Sequence, residues 1–336
     1  MEWYPLKFEP ILKRVMWGGS RICQFKHLVC DQTDIGESWE LSQLPGMVSI
    51  VSNGKLKGKS LTELLEFDGE ALMGRSVYAK FGNTFPLLVK FIDAQSDLSI
   101  QVHPDDALAK ERHRCFGKTE MWYVVDNPAD SKLIAGFSKE ISPEEYIHRI
   151  EDDSIEEVLK VYTPKVGDVF YIPAGRVHAI GAGLFVAEIQ QSSDITYRLY
   201  DYNRSDAQGQ FRQLHTELAK AALHYHDHDS AQVHYDSSTN GVSSLVSCSY
   251  FVTNSLHLSK SSMQNDATPV VEMARDYSTL DSFVIYVCIQ GQGQVLCGKQ
   301  TLSIKQGETL LLPATIHESL LSTSNELLLL EIFIQL

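Results

Sequence analysis

Short apolar runs separated by turn residues recur along most of the chain. The turns at its start are Trp-Gly-Gly, Asp-Ile-Gly-Glu-Ser and Pro-Gly. Short apolar runs bounded by glycine, proline and aspartate are typical of β-strands, so the pattern predicts a mainly β protein. The runs lie over residues 1–50, 85–91, 98–103, 121–125, 166–180 and 184–191.

Helical spacing of apolar residues appears in four shorter stretches. The first is divided by Gly69 and Gly74, because glycine weakens a helix interior. The third begins with Ser142-Pro-Glu-Glu, which combines an N-cap serine, proline at the first helical position and glutamate three residues after the cap. This third stretch is predicted to be an insertion between strands. The predicted helical stretches are 61–80, 107–112 following Pro104, 142 to about 160, and 214–224.

One phrase occurs twice in the chain. Residues 167–178 read Gly-Asp, four residues, Pro-Ala and a histidine, and residues 307–317 repeat this order with Gly-Glu. A tight turn, a buried strand and a proline-ended corner in this order are typical of short-stranded jelly rolls. The repeat therefore predicts two jelly-roll barrels with short helical insertions.

The domain boundary is predicted from a change in composition. Residues 227–244 are poor in large apolar side chains and form the best linker candidate, so a second domain is expected to begin near Leu245. We expect a first, metal-binding domain over 1–235 and a second, metal-free domain over 245–336.

Composition and charge exclude some classes of function. With 336 residues, 43% hydrophobic and 21% charged, the chain resembles an ordinary globular protein. A formal net charge of -14 argues against nucleic acid as a partner, since the phosphate backbone requires a basic surface. A small anionic substrate stays compatible if local lysine and arginine residues attract it. Homo-oligomer formation is left open.

Cellular location is predicted from what the chain does not carry. No segment reads as a signal peptide or a membrane span. The cysteines show no CxxC spacing, which favours reduced thiols and a cytoplasmic location over a disulfide framework. They are Cys23, Cys30, Cys115, Cys248, Cys288 and Cys297.

Four dispersed residues have the chemistry of a metal site. Gln101 and His103 lie two apart in a predicted strand, so both side chains project to one face. Glu120 and His178 follow within apolar surroundings, where a carboxylate or an imidazole is costly unless paired or metal-bound. Each residue alone has an ordinary structural explanation. Together, two imidazoles, one carboxylate and one amide oxygen suit zinc best and also accept iron, manganese or cobalt.

Four ordered motifs resemble a known family. They are Leu-Ser-Ile-Gln-Val-His-Pro-Asp, Gly-Lys-Thr-Glu-Met-Trp-Tyr, Pro-Ala-Gly-x-x-His and Thr-Tyr-Arg-Leu-Tyr-Asp-Tyr. Over about residues 10–205 the chain resembles the type I mannose-6-phosphate isomerases of the cupin superfamily, in their shorter bacterial form. The resemblance implies cupin barrels and a zinc-dependent aldose-ketose isomerase that interconverts mannose 6-phosphate and fructose 6-phosphate. Longer members have an extra helical domain where this chain has only residues 140–160.

The resemblance also assigns residues by motif position. It implies one zinc ion per chain, bound by Gln101, His103, Glu120 and His178. The implied active-site positions are Ser99, Lys90, Lys118, Glu188 and Arg198.

Glu188 and Lys118 are the candidates for moving or neutralising charge near the metal. Burial would raise the pKa of the Glu188 carboxyl toward neutrality and make it a proton shuttle, although an ordinary ion pair and a zinc-bound water as the base are the rival interpretations. Lys118, two residues before Glu120, would lie beside the metal and contact either the enediolate or the phosphate.

Three further residues are candidates for holding the substrate. Arg198 offers a planar fork suited to phosphate or to a sugar oxyanion, unless it pairs with Asp194 or Asp201. Lys90 lies within an apolar strand, so it requires a buried ion pair or a substrate contact. The Ser99 hydroxyl faces the same side as Gln101 and is assigned to phosphate.

Two other functions are compatible with the barrel. A metal-dependent dioxygenase would use iron and favour aromatic or apolar substrate contacts, and a sugar-binding cupin would lack catalysis. The cationic set of Lys90, Lys118 and Arg198 beside one metal favours the isomerase.

Overall fold

A computed structural model describes residues 3–128, 131–205, 209–227, 229–262 and 270–336. Strands dominate, which confirms the predicted mainly β class. The strands are β1 (Leu6–Lys7), β2 (Ile11–Gly19), β3 (Ile35–Leu41), β4 (Gln43–Leu44), β5 (Met47–Val48), β6 (Leu87–Asp93), β7 (Ile100–Val102), β8 (Glu120–Asp126), β9 (Leu133–Phe137), β10 (Leu159–Tyr162), β11 (Val169–Ile172), β12 (His178–Ile180), β13 (Phe185–Gln191), β14 (Tyr197–Tyr200), β15 (Gln232–Val233), β16 (Gly241–Ser247), β17 (Val252–Ser259), β18 (Val271–Asp276), β19 (Val284–Cys297), β20 (Gln300–Lys305), β21 (Thr309–Leu312), β22 (Glu318–Thr323) and β23 (Glu326–Phe333).

Six α-helices are described, and three short 3₁₀ turns accompany them. The helices are α1 (Arg21–Phe25), α2 (Leu61–Met73), α3 (Arg75–Phe81), α4 (Asp106–His113), α5 (Pro143–Glu151) and α6 (Thr216–Ala222). The 3₁₀ turns are Gly54–Leu56, Ile155–Val158 and Lys260–Ser262. None of the described helices is both long enough and apolar enough to cross a membrane.

The strands form three large antiparallel sheets and one small one. A seven-stranded sheet has the order β15-β11-β8-β13-β6-β3-β2, and a five-stranded sheet has the order β10-β9-β12-β7-β14. A nine-stranded sheet follows the path β1-β21-β19-β23-β17-β16, to which β18, β20 and β22 attach through β19 and β22. Strands β4 and β5 pair with each other. The first strand of the chain thus lies in the sheet that the last strands build.

The seven-stranded sheet is buried on both faces at its centre. Strands β6 and β13 have no exposed residue. Val89 and Ala187 on one face pack with residues of the nine-stranded sheet. Ile92 and Val186 on the other face pack with Leu133 of the five-stranded sheet. Because both faces are covered, these strands read as continuous apolar runs, and any polar residue within them lies between layers.

The helix starts follow the sequence signals. Ser60 and Glu63 form a capping box at the start of α2. The Ser142 hydroxyl accepts a hydrogen bond from the Glu145 amide at the start of α5. Gly74, at a φ of +88°, separates α2 from α3 as predicted, since this backbone conformation favours glycine.

Two predicted element boundaries are wrong. Helix α5 ends at Glu151 and is followed by a 3₁₀ turn and strand β10, because β10 pairs with β9 and a tertiary contact overrides the helical pattern. The predicted linker 227–244 contains β15, which pairs with β11, and the start of β16. Residue 228 of this stretch lies outside the described residues.

The expectation that all cysteines are reduced is also wrong. Cys23 and Cys30 form a disulfide between residues seven apart in sequence, with their Cα atoms 6.1 Å apart. The Leu28 amide donates to the Cys23 carbonyl at 2.8 Å, so the chain folds back after α1 and brings the two thiols together. A search for CxxC spacing could not detect a pair made by this turn.

The nine-stranded sheet encloses a buried ionic cluster. The fully buried Glu331 carboxylate accepts two hydrogen bonds from Arg275, at 2.8 and 2.9 Å, one from Tyr277 at 2.6 Å and one from Asn254 at 2.8 Å. A buried carboxylate is tolerated only with such compensation, so Arg275 is the charge partner on which Glu331 depends.

We expect Arg275→Met to destabilise the protein strongly, because it leaves the Glu331 charge buried without its cation. Loss of one partner of a buried pair costs roughly 3–5 kcal/mol. Urea denaturation followed by circular dichroism measures the free energy of unfolding. Arg14→Met is the matched control, since Arg14 pairs with Asp34 at an exposed site, and it should change stability little. Equal effects of the two substitutions would contradict the assignment.

Candidate metal centre and active site

The candidate site lies between the five-stranded and seven-stranded sheets. In the five-stranded sheet, β7 lies between β12 and β14, and Gln101 is paired in register with His178 of β12 and with Arg198 of β14. In the seven-stranded sheet, Glu188 of β13 is paired with Lys90 of β6. Neighbouring strands thus bring together residues that are far apart in sequence.

Three potential metal ligands converge in the interior. One donor atom from each of His103, Glu120 and His178 lies within 4.8 Å of the other two, and all three side chains are buried. The two imidazole Nε2 atoms are 3.1 Å apart. The structure therefore brings together three of the four residues predicted as ligands in one donor cluster.

The hydrogen bond made by Nδ1 of each imidazole determines which ring nitrogen carries the proton. His103 Nδ1 lies 2.9 Å from the Ile195 carbonyl, and His178 Nδ1 lies 2.8 Å from the Arg176 carbonyl. A carbonyl only accepts, so each Nδ1 carries the proton and each Nε2 presents a lone pair. Burial, with the nearby charge of Lys118, lowers the pKa of both histidines, that of His178 to about 3. Two neutral imidazoles with lone pairs converging are arranged for a cation.

Glu120 supplies the negative charge beside these lone pairs. Its carboxylate is fully buried and accepts no well-aligned hydrogen bond, although Lys118 Nζ lies 3.2 Å from Oε2. Oε1 lies 3.4 Å from His178 Nε2. Burial, followed by the charge of Glu188, raises the pKa of Glu120 to about 7. A divalent cation would compensate this carboxylate, so the donor set fits a metal.

Gln101 completes the set with an amide. Its Nε2 lies 3.3 Å from His178 Nε2, and Ser99 Oγ lies 3.5 Å from Oε1. A half-turn of the amide exchanges the two atoms and presents Oε1 to the other donors, as a metal ligand requires. The side chain lies in reach of the site.

Glu188 and Lys90 form a buried ion pair. Glu188 Oε1 lies 3.0 Å from Lys90 Nζ, and Trp122 Nε1 donates to Oε2 at 2.9 Å. Burial alone would raise the pKa of Glu188, but the charges of Lys90 and Lys118 lower it to about 2. The expectation of a pKa near neutrality is therefore wrong for this arrangement, because the cations outweigh desolvation.

Lys118 is the buried cation beside the ligand cluster. Its Nζ lies 3.1 Å from His103 Nε2, in addition to its contact with Glu120. Lys118 therefore lies beside the candidate ligands, and its role there stays a prediction.

Arg198 is held by neutral groups. It donates from Nε to Ser99 Oγ at 3.2 Å and from Nη1 to the Gln213 carbonyl at 2.8 Å. Neither Asp194 nor Asp201, its candidate partners from sequence, forms an ion pair with it in the described part of the chain. Its guanidinium charge therefore stays available to a ligand.

A cavity of about 190 Å³ is lined by six of the predicted site residues, namely Lys90, Ser99, Gln101, Lys118, Glu188 and Arg198. Sequence reasoning missed four of its polar lining residues, and two of them, Asp194 and Arg212, lie in irregular segments. Arg212, for example, follows Gly-Gln-Phe in an irregular segment. The missed polar residues are Glu37, Asp194, Thr196 and Arg212.

Comparison with known proteins gives a consistent result. The family model described as phosphomannose isomerase type I, catalytic domain, matches residues 6–135, and the mannose-6-phosphate isomerase cupin domain matches residues 267–330. The mannose-6-phosphate isomerase ManA of Bacillus subtilis is 35% identical over 94% of both chains. The mannose-6-phosphate isomerase of Streptococcus mutans is 35% identical over 93% of both chains.

A solved structure agrees with these relatives. The crystal structure of the mannose 6-phosphate isomerase from Bacillus subtilis superimposes with a TM-score of 0.84 and 32% identity, covering 99% of this chain and 100% of that one. The resemblance inferred from the four sequence motifs is confirmed. This chain belongs to the type I phosphomannose isomerase family and is an isomerase enzyme.

Proposed function

We propose that the protein is a zinc-dependent isomerase that interconverts mannose 6-phosphate and fructose 6-phosphate. The observation that carries this proposal is the pair of buried Nε2 lone pairs, 3.1 Å apart, beside the Glu120 carboxylate. Gln101 and Lys118, which lie beside these donors, line a cavity that holds four cationic side chains, which suits a sugar phosphate. The four are Lys90, Lys118, Arg198 and Arg212.

Gln101, His103, Glu120 and His178 would hold the zinc ion. When bound, zinc supplies Lewis-acid polarisation of the sugar oxygens and stabilises the negative charge that develops on them. With Glu120 as the one anionic ligand, the site would keep about one net positive charge. That excess suits an oxyanion.

The chain's own residues would position the sugar and move the proton. Glu188 is ionised beside Lys90, so its carboxylate can accept a proton from C2, whereas donation back requires that the substrate weaken this ion pair. Lys118 lies beside the candidate ligands, where its positive charge would compensate the negative charge on the sugar oxygens. Arg198, with Ser99 on its Nε, would hold the substrate through its unpaired charge.

We further propose that the described sheets form two barrels, with a catalytic domain over 1–235 and a metal-free domain over 245–336. Strand registers support a repeat: Glu188 is paired with Trp122 on β8, and Glu331 is paired with Tyr286 on β19. At the position of Glu120, opposite the residue before the repeated Pro-Ala, the second copy has Val284. With valine at this position, the second copy lacks the anionic ligand that Glu120 would supply.

Cytoplasmic location and homo-oligomer formation stay predictions. The Cys23–Cys30 disulfide removes the thiol argument for the cytoplasm, because disulfides are rare there.

The test of the proposed function is metal removal. We expect a chelator to abolish conversion of mannose 6-phosphate to fructose 6-phosphate in a coupled assay, and zinc to restore it at about one ion per chain. Iron-specific reactivation with oxygen consumption would instead favour the dioxygenase, and sugar binding without turnover would favour the binding protein. Full turnover in verifiably metal-free protein would refute zinc dependence.

Arg198→Ala should separate substrate binding from metal binding. Loss of a cation that faces developing charge lowers turnover by about a hundredfold or more. The zinc content, measured by atomic absorption, should stay at the wild-type level. Arg75→Ala, which removes an exposed arginine on α3, serves as the control and should leave turnover unchanged. Loss of zinc from Arg198→Ala would show a structural role instead.

Gln101→Glu should retain zinc and weaken catalysis, because a second carboxylate ligand would neutralise the remaining positive charge of the site. We expect kcat to fall by about tenfold or more. Gln300→Glu adds the same charge at an exposed residue of β20 outside the site and controls for a general electrostatic effect. Undiminished turnover of Gln101→Glu would show that the amide is incidental.

A further inference from the structure

Arg212 and Arg198 reach the same cavity from adjacent segments. The Arg198 amide donates to His215 Nδ1 at 3.1 Å, and the His215 amide donates to the Arg198 carbonyl at 2.8 Å. Together with the bond from Arg198 Nη1 to the Gln213 carbonyl, these contacts hold residues 211–215 beside β14. Arg212 is thereby placed at the Arg198 end of the cavity.

Asp201 holds Arg212 in a defined orientation. Its carboxylate is buried and accepts from Arg212 Nε at 2.7 Å and also from Nη2. Arg204 Nη2 donates to the same carboxylate at 2.5 Å. Among the described residues, Nη1 of Arg212 has no partner, so the guanidinium is fixed on one edge and available on another.

The charges divide between the two ends of the cavity. Lys90 pairs with Glu188, and the charges of Glu188, Glu37 and Asp194 raise the pKa of Lys90 against the opposing effect of its burial. The negative lining residues therefore act at the Lys90 end.

The opposite end has an excess of positive charge. Two arginines share the single charge of Asp201, which leaves one positive charge uncompensated, and Arg198 adds a second because it has no ion pair in the described part of the chain. Burial and the charge of Arg212 lower the pKa of Arg198, so the like charges are close enough to repel. Two uncompensated charges match a phosphate monoester dianion.

We propose that Arg212 is a specificity-determining residue that binds the substrate phosphate together with Arg198, and that Asp201 is the positioning residue which aims it. This inference rests on the proposed function, since it identifies the end of the cavity that takes the phosphate. The reacting carbons then lie toward Lys118 and the metal ligands.

The test compares two arginines that share Asp201. Arg212→Gln and Arg204→Gln each remove one arginine from Asp201, but only Arg212 lines the cavity. Binding of inorganic phosphate to the zinc-loaded protein, measured by calorimetry, reports on the site without catalysis. Arg212→Gln should weaken phosphate binding and raise KM for mannose 6-phosphate, each by about tenfold to a hundredfold, with a smaller change in kcat.

Arg204→Gln also removes a positive charge beside Asp201 but keeps the guanidinium that lines the cavity, so it should weaken phosphate binding much less than Arg212→Gln does. Equal losses in both variants would assign the effect to Asp201 and overturn the proposal, as would unchanged phosphate binding in Arg212→Gln. Arg212→Lys keeps the charge without the fork and should recover part of the affinity, which also covers a failure of the glutamine variant to fold. An inactive wild type that still binds phosphate through Arg212 would refute the isomerase and not this site.

Discussion

The catalytic half of the molecule depends on how a buried carboxylate is compensated. Glu120 lies in the interior with two neutral imidazoles whose lone pairs face it, and no aligned hydrogen-bond donor reaches its oxygens. Burying a carboxylate costs on the order of several kcal/mol unless an opposite charge is buried with it. Lys118 supplies part of that charge at 3.2 Å. A divalent ion would supply the rest and orient both imidazoles, so metal binding and local stability become the same interaction.

The sheet architecture makes this burial possible. Strands β6, β8 and β13 are covered on one face by the nine-stranded sheet and on the other by the five-stranded sheet. The odd-numbered residues of these strands therefore face the nine-stranded sheet, and the even-numbered residues face the five-stranded sheet. Lys90, Trp122 and Glu188 lie opposite one another in register and face the side of the five-stranded sheet, where the candidate site lies. The apolar residues between them bind the two halves of the molecule together.

The strand pattern and the helix caps could be predicted because their signals are local. Ser142 caps its helix through a contact three residues away, and the Gln-x-His spacing needs only an extended strand. The Cys23–Cys30 pair, the strand within the presumed linker and the low pKa of Glu188 could not be predicted, since each depends on a contact that the fold alone creates. Burial was inferred correctly for Glu188 and by itself raises the pKa, but the net shift is downward because the charges of Lys90, opposite on the next strand, and Lys118 outweigh it.

The two ends of the cavity differ in how their cationic side chains are compensated. At the Lys90 end, Lys90 is matched in register by the carboxylate of Glu188, and this ion pair holds Glu188 ionised. At the Arg198 end, neutral partners such as Ser99 and the Gln213 carbonyl fix the arginine without consuming its charge. Asp201 is divided between two arginines there. A dianionic group would gain most at this end, and a phosphate bound there would direct the opposite end of a short sugar toward the candidate metal ligands.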